Sequence, residues 1–553
     1  MSRLAFPLVL LPLLPACADD AAGTGTNGET TAADASTGST DPTTPSGMTS
    51  GSATASSTSE TSVDSTGVVG SSGNFTTGSD SSGNESSGET TDGPQACMPL
   101  RGEGAATAAA RLGEATPQIT GAFDQVIAVA PVDGAAILAA RIGRYETAVD
   151  PLATIPASTG ISDARGVLAG LDDTGDYQWT HLLETEQIGA STPFVNLTAI
   201  DGDEDRAAFI GVFRGDLALD GVDVPGCNGR CALFGWVDAD GSLDGPIVIP
   251  NGAVVDAPII TSVALRPDGG MVMGGAASGS VSFGGAVLNN TPIEEDVNIG
   301  VFDEKGEHVW SRRWGGEGEE QLGGLADLDG DVLAVATTSD QLDFGGGPLG
   351  DGGTPAPDVV VARLDGEDGE HVWSVVFEAT GGFAATTRVS SQDGLVIVGV
   401  SGGEMSLDIE GRDVSGGSFV VGLDADTGQV QWHRAFDGAA RIWGLDTRCD
   451  EIAIAGSYSS TFTYDGVPAP LPAGIDAFAA RLSLQDGSLR WLQVVTDATQ
   501  GEETQQPNDV AFGPDDALWL AGYFVGDINP GTGLLQSGLG GPGADGFTIR
   551  LDP

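Results

Sequence analysis

The chain has 553 residues, 79 acidic side chains against 22 basic ones, and a net charge of −57; Lys305 is its only lysine. Phosphate recognition is built from Lys/Arg clusters, and no such cluster occurs, so the composition argues against nucleic acid and anionic membrane as ligands. The acid excess fits solubility at a cell exterior, or a surface that draws cations and basic partners.

The chain opens on Met1-Ser2-Arg3, and Leu4 to Leu14 is almost entirely apolar. A permanent membrane helix needs about 20 apolar residues, so this shorter run reads as a signal peptide. It ends in Leu14-Pro15-Ala16-Cys17, which resembles the bacterial lipobox, where a small residue precedes a Cys that is diacylated. Pro15 departs from the usual small or β-branched residue at its position. The expectation is a lipoprotein signal peptide over residues 1–17, lipidation at Cys17, and localisation to the cell envelope, anchored to the outer membrane or cell surface.

Residues 18–95 repeat Ser, Thr and Gly with scattered acids and contain no Lys or Arg. Such a composition buries too little apolar area to offset its ordering entropy. A disordered linker is expected there, with an r.m.s. span of about 50 Å from the square-root scaling of flexible chains.

Beyond Cys97 the chain repeats itself. Trp179, Trp310, Trp373, Trp432 and Trp491 recur as landmarks, with Leu243 in the slot where a Trp is missing, at intervals of 59 to 67 residues. Each unit holds four short strands joined by Gly/Asp turns. The first two strands are exemplified by Asp509-Val510-Ala511-Phe512, the turn at Pro514-Asp515-Asp516 and Leu518-Trp519-Leu520-Ala521-Gly522, and the last two by Asp476 to Leu482, the turn Gln485-Asp486-Gly487 and the strand that holds Trp491. Four-strand units without helical periodicity indicate propeller blades.

First strands occur at Val126, Val195, Thr261, Leu322, Thr387, Ile442 and Asp509, which gives seven units. The last stops at Phe547 to Leu551 without a fourth strand. Ala105 to Leu112 matches the missing piece, in the slot where another unit has Val309-Trp310-Ser311-Arg312-Arg313-Trp314. The expected fold is therefore all-β: a seven-bladed β-propeller over residues 97–553, closed by an N-terminal strand that removes an aggregation-prone sheet edge.

These units resemble the β-propeller repeats of secreted and lipid-anchored bacterial proteins of the myxobacterial type. Asp424-Ala425-Asp426-Thr427-Gly428-Gln429-Val430-Gln431-Trp432 resembles the tryptophan motif of quinoprotein propellers. The resemblance spans roughly residues 104–553 and implies architecture more than activity, because one fold hosts many functions.

Chemistry-bearing signals are sparse. Gly226-Cys227-Asn228-Gly229-Arg230-Cys231 brackets a tight turn, which makes Cys227 and Cys231 candidates for a local disulfide. Cys97 and Cys449 are left to pair or to stay free. His181, His308, His371 and His433 all stand beside the landmark aromatics, where rim packing accounts for them better than a metal centre. The runs Asp172-Asp173-Thr174-Gly175-Asp176, Asp201-Gly202-Asp203-Glu204-Asp205 and Asp238-Ala239-Asp240-Gly241 suggest calcium, yet none matches the twelve-residue calcium loop, and hairpin turns want the same residues.

Two functional classes remain. One is a non-catalytic binding or scaffolding module for a protein or glycan partner, with no cofactor and no metal. The other is a quinoprotein-like (PQQ-type) dehydrogenase; a weakly calcium-binding surface propeller is a lesser alternative. The dehydrogenases of that family use eight blades and an adjacent cysteine pair, and this sequence offers neither. The expected axial residues also differ from blade to blade: Asn196 and Thr198, Ser262, Asp327, Ser390, Asp446 and Asn508. No Arg or Lys recurs among them to hold a cofactor's carboxylates.

Overall fold

In a computed structural model, residues 104–553 are described except for 115–122, 134, 144–146, 150–152, 158–163, 188–191, 250–258, 290–293, 353–355, 382–383, 498–502 and 538–542. The expected signal peptide over 1–17 with Cys17, the expected linker over 18–95 and Cys97 lie outside the described residues.

The described chain is all-β, and its strands pair in antiparallel sets of four. Blade 1 runs Gln125–Val132, Ala135–Ile142, Arg165–Asp172 and Tyr177–Glu186, each strand bonded to the next. The same order repeats from Phe194–Gly202 in blade 2, Ile259–Leu265 in blade 3, Glu320–Leu328 in blade 4 and Ala384–Gln392 in blade 5. One long strand, Val430–Arg448, serves twice. Its first part pairs with Asp413–Asp424 as the outer strand of blade 5, and its second part pairs with Glu451–Tyr464 as the inner strand of blade 6.

The seventh set joins both ends of the described chain. Gln505–Phe512, Leu518–Phe524 and Asp545–Leu551 are completed by Ala106–Glu114, in a register running from Ala106↔Leu551 to Leu112↔Gly546. This is the N-terminal closure expected from the sequence. Arg111 donates to Asp545 at 2.7 Å across the seam, and Arg313 makes the matching pair with Asp296 at 2.7–2.9 Å inside blade 3. The borrowed strand thus reproduces a side-chain pair as well as a backbone ladder.

The apolar core is divided among the blade junctions. Phe213, Leu233 and Leu183 lie between blades 1 and 2, Phe234 and Met273 between blades 2 and 3, and Phe419 and Val361 between blades 4 and 5. Ala110, Leu112 and Trp519 of blade 7 pack on Val126 and Leu138 of blade 1, so the packing closes on itself. Facing sheets with interdigitated side chains form such layers.

The long connections between second and third strands fold over the outer edge of the preceding blade. Leu183↔Leu219 ties the blade 2 hairpin to the outer strand of blade 1. Thr147–Val149 of blade 1 pairs with Leu112 to Glu114 of blade 7. Glu378↔Asp408, Asp437↔Thr463 and Asp497↔Ile528 do the same further round. An uncovered edge invites a foreign strand. The outer strands of blades 2 and 3 instead carry Pro246, which has no N–H to offer, and the charged Arg312 and Arg313.

Candidate functional site

The tryptophan landmarks are clamps between neighbouring blades. The Nε1 of Trp179 donates to Ala239 O at 3.0 Å, Trp310 to Gly366 O at 3.0 Å, Trp373 to Ala425 O at 2.8 Å and Trp432 to Leu484 O at 3.1 Å. In each case the acceptor lies in the third-to-fourth-strand turn of the next blade, and the indole covers a glycine of that turn. At Gly428, where φ is +69°, a Cβ would stand 2.6 Å from the Trp373 ring. Trp491 covers Gly104 in the same way, just ahead of the closing strand.

One assignment needs correction. Leu243 pairs with Val237 and does not take the tryptophan's place; the side chain covering the next blade's turn glycine, Gly306, is Ile247. The irregular pairing between Phe234 and Trp236 shifts the strand's register, and sequence spacing alone does not show it.

The inner strands of all seven sets line one axial cavity of about 350 Å³. Each inner strand carries an irregularity in its pairing, such as Leu197/Ala199 in blade 2, Ile442/Gly444 in blade 6 and Pro507/Asp509 in blade 7. Bulges re-aim the side chains that follow them, here toward the axis. Thr198, Ser262, Asp327, Ser390, Asp446 and Asn508 line the cavity as expected. Asn196 does not; it is buried ahead of the irregularity. Asp201, Arg388 and Asp509 also line the cavity, and the sequence reading missed them as axial residues.

These polar groups tie blades together. Asp201 of blade 2 accepts from Leu265 N of blade 3 at 2.7 Å, and Ser262 of blade 3 accepts from Leu325 N of blade 4 at 2.9 Å. Ser391 of blade 5 donates to Asp327 O at 2.7 Å, and Ser390 meets Thr447 of blade 6 at 2.7 Å. Asp446 accepts from Phe512 N of blade 7 at 2.8 Å, and Asp509 accepts from Val129 N of blade 1 at 3.1 Å. Asn508 adds a bond to Val126 O at 2.7 Å.

Burial costs a carboxylate its hydration and favours the protonated form. It raises Asp201 to about 7, with Asp446 and Asp509 adding repulsion. Burial raises Asp509 to about 7 as well, against the nearby Arg388 guanidinium, and holds Asp446 and Asp327 at about 6. Burial also lowers Arg388, while Asp509 opposes that shift.

The remaining candidates are bound into the scaffold. His181 sits between Asp220 and Gly241 O, both at 2.7 Å. His308 and His371 each meet a serine three residues on, Ser311 and Ser374, at 3.0 Å. His433 lies opposite Val421 in the blade 5 ladder. The four therefore stand on outer strands of four different blades. In the calcium-like runs, Asp172 accepts from Thr174 and Asp176 N–H groups, Asp203 from Asp205 and Arg206, and Asp240 from Ser242, all at 2.8–3.0 Å. These are turn bonds. Among the described residues no group of three or more His, Cys, Asp or Glu is placed to hold a metal ion. Cys231 and Cys449 are each disulfide-bonded. The Cys227 backbone pairs with Gly215, and its side chain lies outside the described residues.

No family model matches the chain. No curated protein matches it either. Among solved structures, BamB from Moraxella catarrhalis is 15% identical over 79% of this chain and 99% of its own, at a TM-score of 0.37. Sqt1 from Saccharomyces cerevisiae is 9% identical over 79% and 97%, at 0.36. A quinohemoprotein alcohol dehydrogenase from Pseudomonas putida is 10% identical over 80% and 76%, at 0.34. These are similarities of outline alone.

Proposed function

We propose that this protein is exported, anchored by a lipid on Cys17, and displays its β-propeller on the 18–95 tether as a non-catalytic binding or scaffolding module at the cell envelope. Its partner is a protein or a glycan, engaged through the outside of the disc. The observation that carries this reading is the employment of the conspicuous residues. Four of the five landmark tryptophans, the turn aspartates and most axial polar side chains are bonded to a neighbouring blade or to their own hairpin. The repeated chemistry makes a rigid ring, which suits a module that presents surface.

The dehydrogenase reading draws only on the tryptophan motif, and that motif here joins blades. A quinone site needs an apolar stacking platform with fixed polar groups converging on it. The axial cavity has instead a lining in which four aspartates face one arginine. Two assays separate the readings. Capture of envelope proteins and glycans on residues 97–553 should yield a saturable partner. Purified protein should show no quinone absorbance and no dye reduction with added quinone and calcium; quinone-dependent turnover would sink the binding-module reading.

A further inference from the structure

Blade 7 is the one set built from two distant stretches of the described chain, and axial carboxylates stand at both of its junctions. Asp446 reaches forward to Phe512 N of blade 7, and Asp509 of blade 7 reaches forward to Val129 N of blade 1. Asp201, at the junction of blades 2 and 3, lines the same cavity and interacts electrostatically with both. We propose that this trio is a proton-operated lock on the ring: protonation of Asp201, Asp446 and Asp509 tightens the two junctions of the closing blade, and full ionisation loosens them.

The charge around the cavity supports the lock. Blade 5 contributes Arg388, which donates to Thr387 O at 2.9 Å and to Gly323 O at 3.3 Å and interacts electrostatically with Asp509. Blade 4 contributes Asp327, bonded to Gly330 N at 3.1 Å. Blade 6 adds Arg448 beside Asp446, held by Asp516 at 2.9 Å. The lining from blades 1 and 3, Ile127 to Pro131 and Thr261 to Leu265, contains no titratable side chain. One lining guanidinium therefore faces four lining carboxylates, and ionising the three aspartates strips each of hydration in a site with little water, a cost to which repulsion on Asp201 and Asp509 adds. A protonated carboxyl still accepts the backbone N–H through its carbonyl oxygen, so the junction bonds survive while the desolvation and repulsion go.

The sign follows from linkage. The folded-state values of about 6 to 7 lie above the unfolded value of 3.8, so the folded state holds more protons in between. Stability from these groups is full below the unfolded value and is lost as pH rises through the folded values.

The test is hydrogen exchange of the Val129 and Phe512 amides in the full chain near pH 5 and near pH 8, corrected for intrinsic rates. Opening should be rarer at the lower pH by about tenfold at Phe512 and about a hundredfold at Val129, because Asp446 and Asp509 stand about one and two units above pH 5 and each unit supplies a factor of ten. In D446N/D509N, where an amide oxygen keeps the acceptor without the charge, that difference should vanish and protection should stay high at both values. Glu320→Gln, which removes another group raised to about 7 but outside the cavity lining, should leave the difference intact. Equal corrected exchange at both pH values in the unmodified protein would overturn the proposal, as would an unchanged pH response in D446N/D509N. If the double variant does not fold, D509N alone is read at Val129 against the same two outcomes.

Discussion

The blade-to-blade clamp can be tested where its geometry is tightest, at Trp373 and Gly428. Trp373 is buried and donates to Ala425 O at 2.8 Å. Removing a buried aromatic side chain costs about 3–5 kcal/mol, to which the lost hydrogen bond contributes about 1 kcal/mol. Gly428→Ala fails for a different reason. Its φ of +69° is left-handed, which costs a Cβ-bearing residue about 1–2 kcal/mol. The new Cβ also meets the indole at 2.6 Å, and overpacking of this kind costs about 1–3 kcal/mol more. In a Trp373→Ala background only the backbone cost survives, because the ring it strikes is gone. The double variant should therefore be about 1–3 kcal/mol more stable than the sum of the single effects, within the range found for side chains in contact. Guanidinium unfolding of the four proteins, followed by far-ultraviolet circular dichroism, gives the cycle. Additive effects would mean that Trp373 does not rest on Gly428, and the tryptophans would lose their role as clamps.

Four further outcomes bear on the closure and the export reading. Arg111→Ala should destabilise the fold by about 2–4 kcal/mol, somewhat below the cost of breaking a fully buried ion pair because the arginine is 28% exposed. Deleting Ala105 to Leu112 should expose the Asp545–Leu551 edge and give aggregates in size-exclusion chromatography; a monodisperse, equally stable deletion would mean that the ring closes without this strand. Peptide mapping of exported protein should recover Cys227 joined to Cys231, and finding both as free thiols would remove that bridge. Cys17→Ser should move the protein from the membrane fraction to the soluble exported fraction, and unchanged membrane recovery would rule out the lipid as its anchor.

The blade was legible because its signals are local. Gly and Asp at turns, alternation along short strands, and a landmark Trp in five of the seven units all fall within a single unit of about 60 residues. The closing strand was legible by subtraction, since the last unit lacked a fourth strand and Ala105 to Leu112 had no other place. What escaped the sequence involves pairing between units. Nothing near Leu219 announces Leu183 as its partner, because the hairpin crosses to another blade and no turn chemistry fixes its register. Asp201 was hidden in an Asp-Gly-Asp run that otherwise makes turn bonds, although its own side chain lines the axial cavity and reaches Leu265 N of the next blade. Ile247 was masked by a register shift and Arg388 by occurring once.

A division of labour follows from these misses. Whatever repeats in this chain serves the contact that every blade must make with the next: tryptophan on glycine, a turn aspartate on its backbone, an apolar layer between sheets. Such features specify a ring and carry no information about its partner. Under the proposed binding function, partner recognition rests on residues that differ among blades, and these fall in two places. The inner strands hold the unequal axial set, but most of those groups are engaged across junctions, which leaves little to offer a ligand. The second-to-third-strand connections differ most in length and carry exposed apolar side chains at Val222, Val287, Leu471 and Leu534. Most of them are also held against a neighbouring blade's outer strand, so their tips are presented on fixed supports. Substitutions in these tips should leave the fold unchanged and alter partner capture, whereas substitutions at the repeated positions should do the reverse.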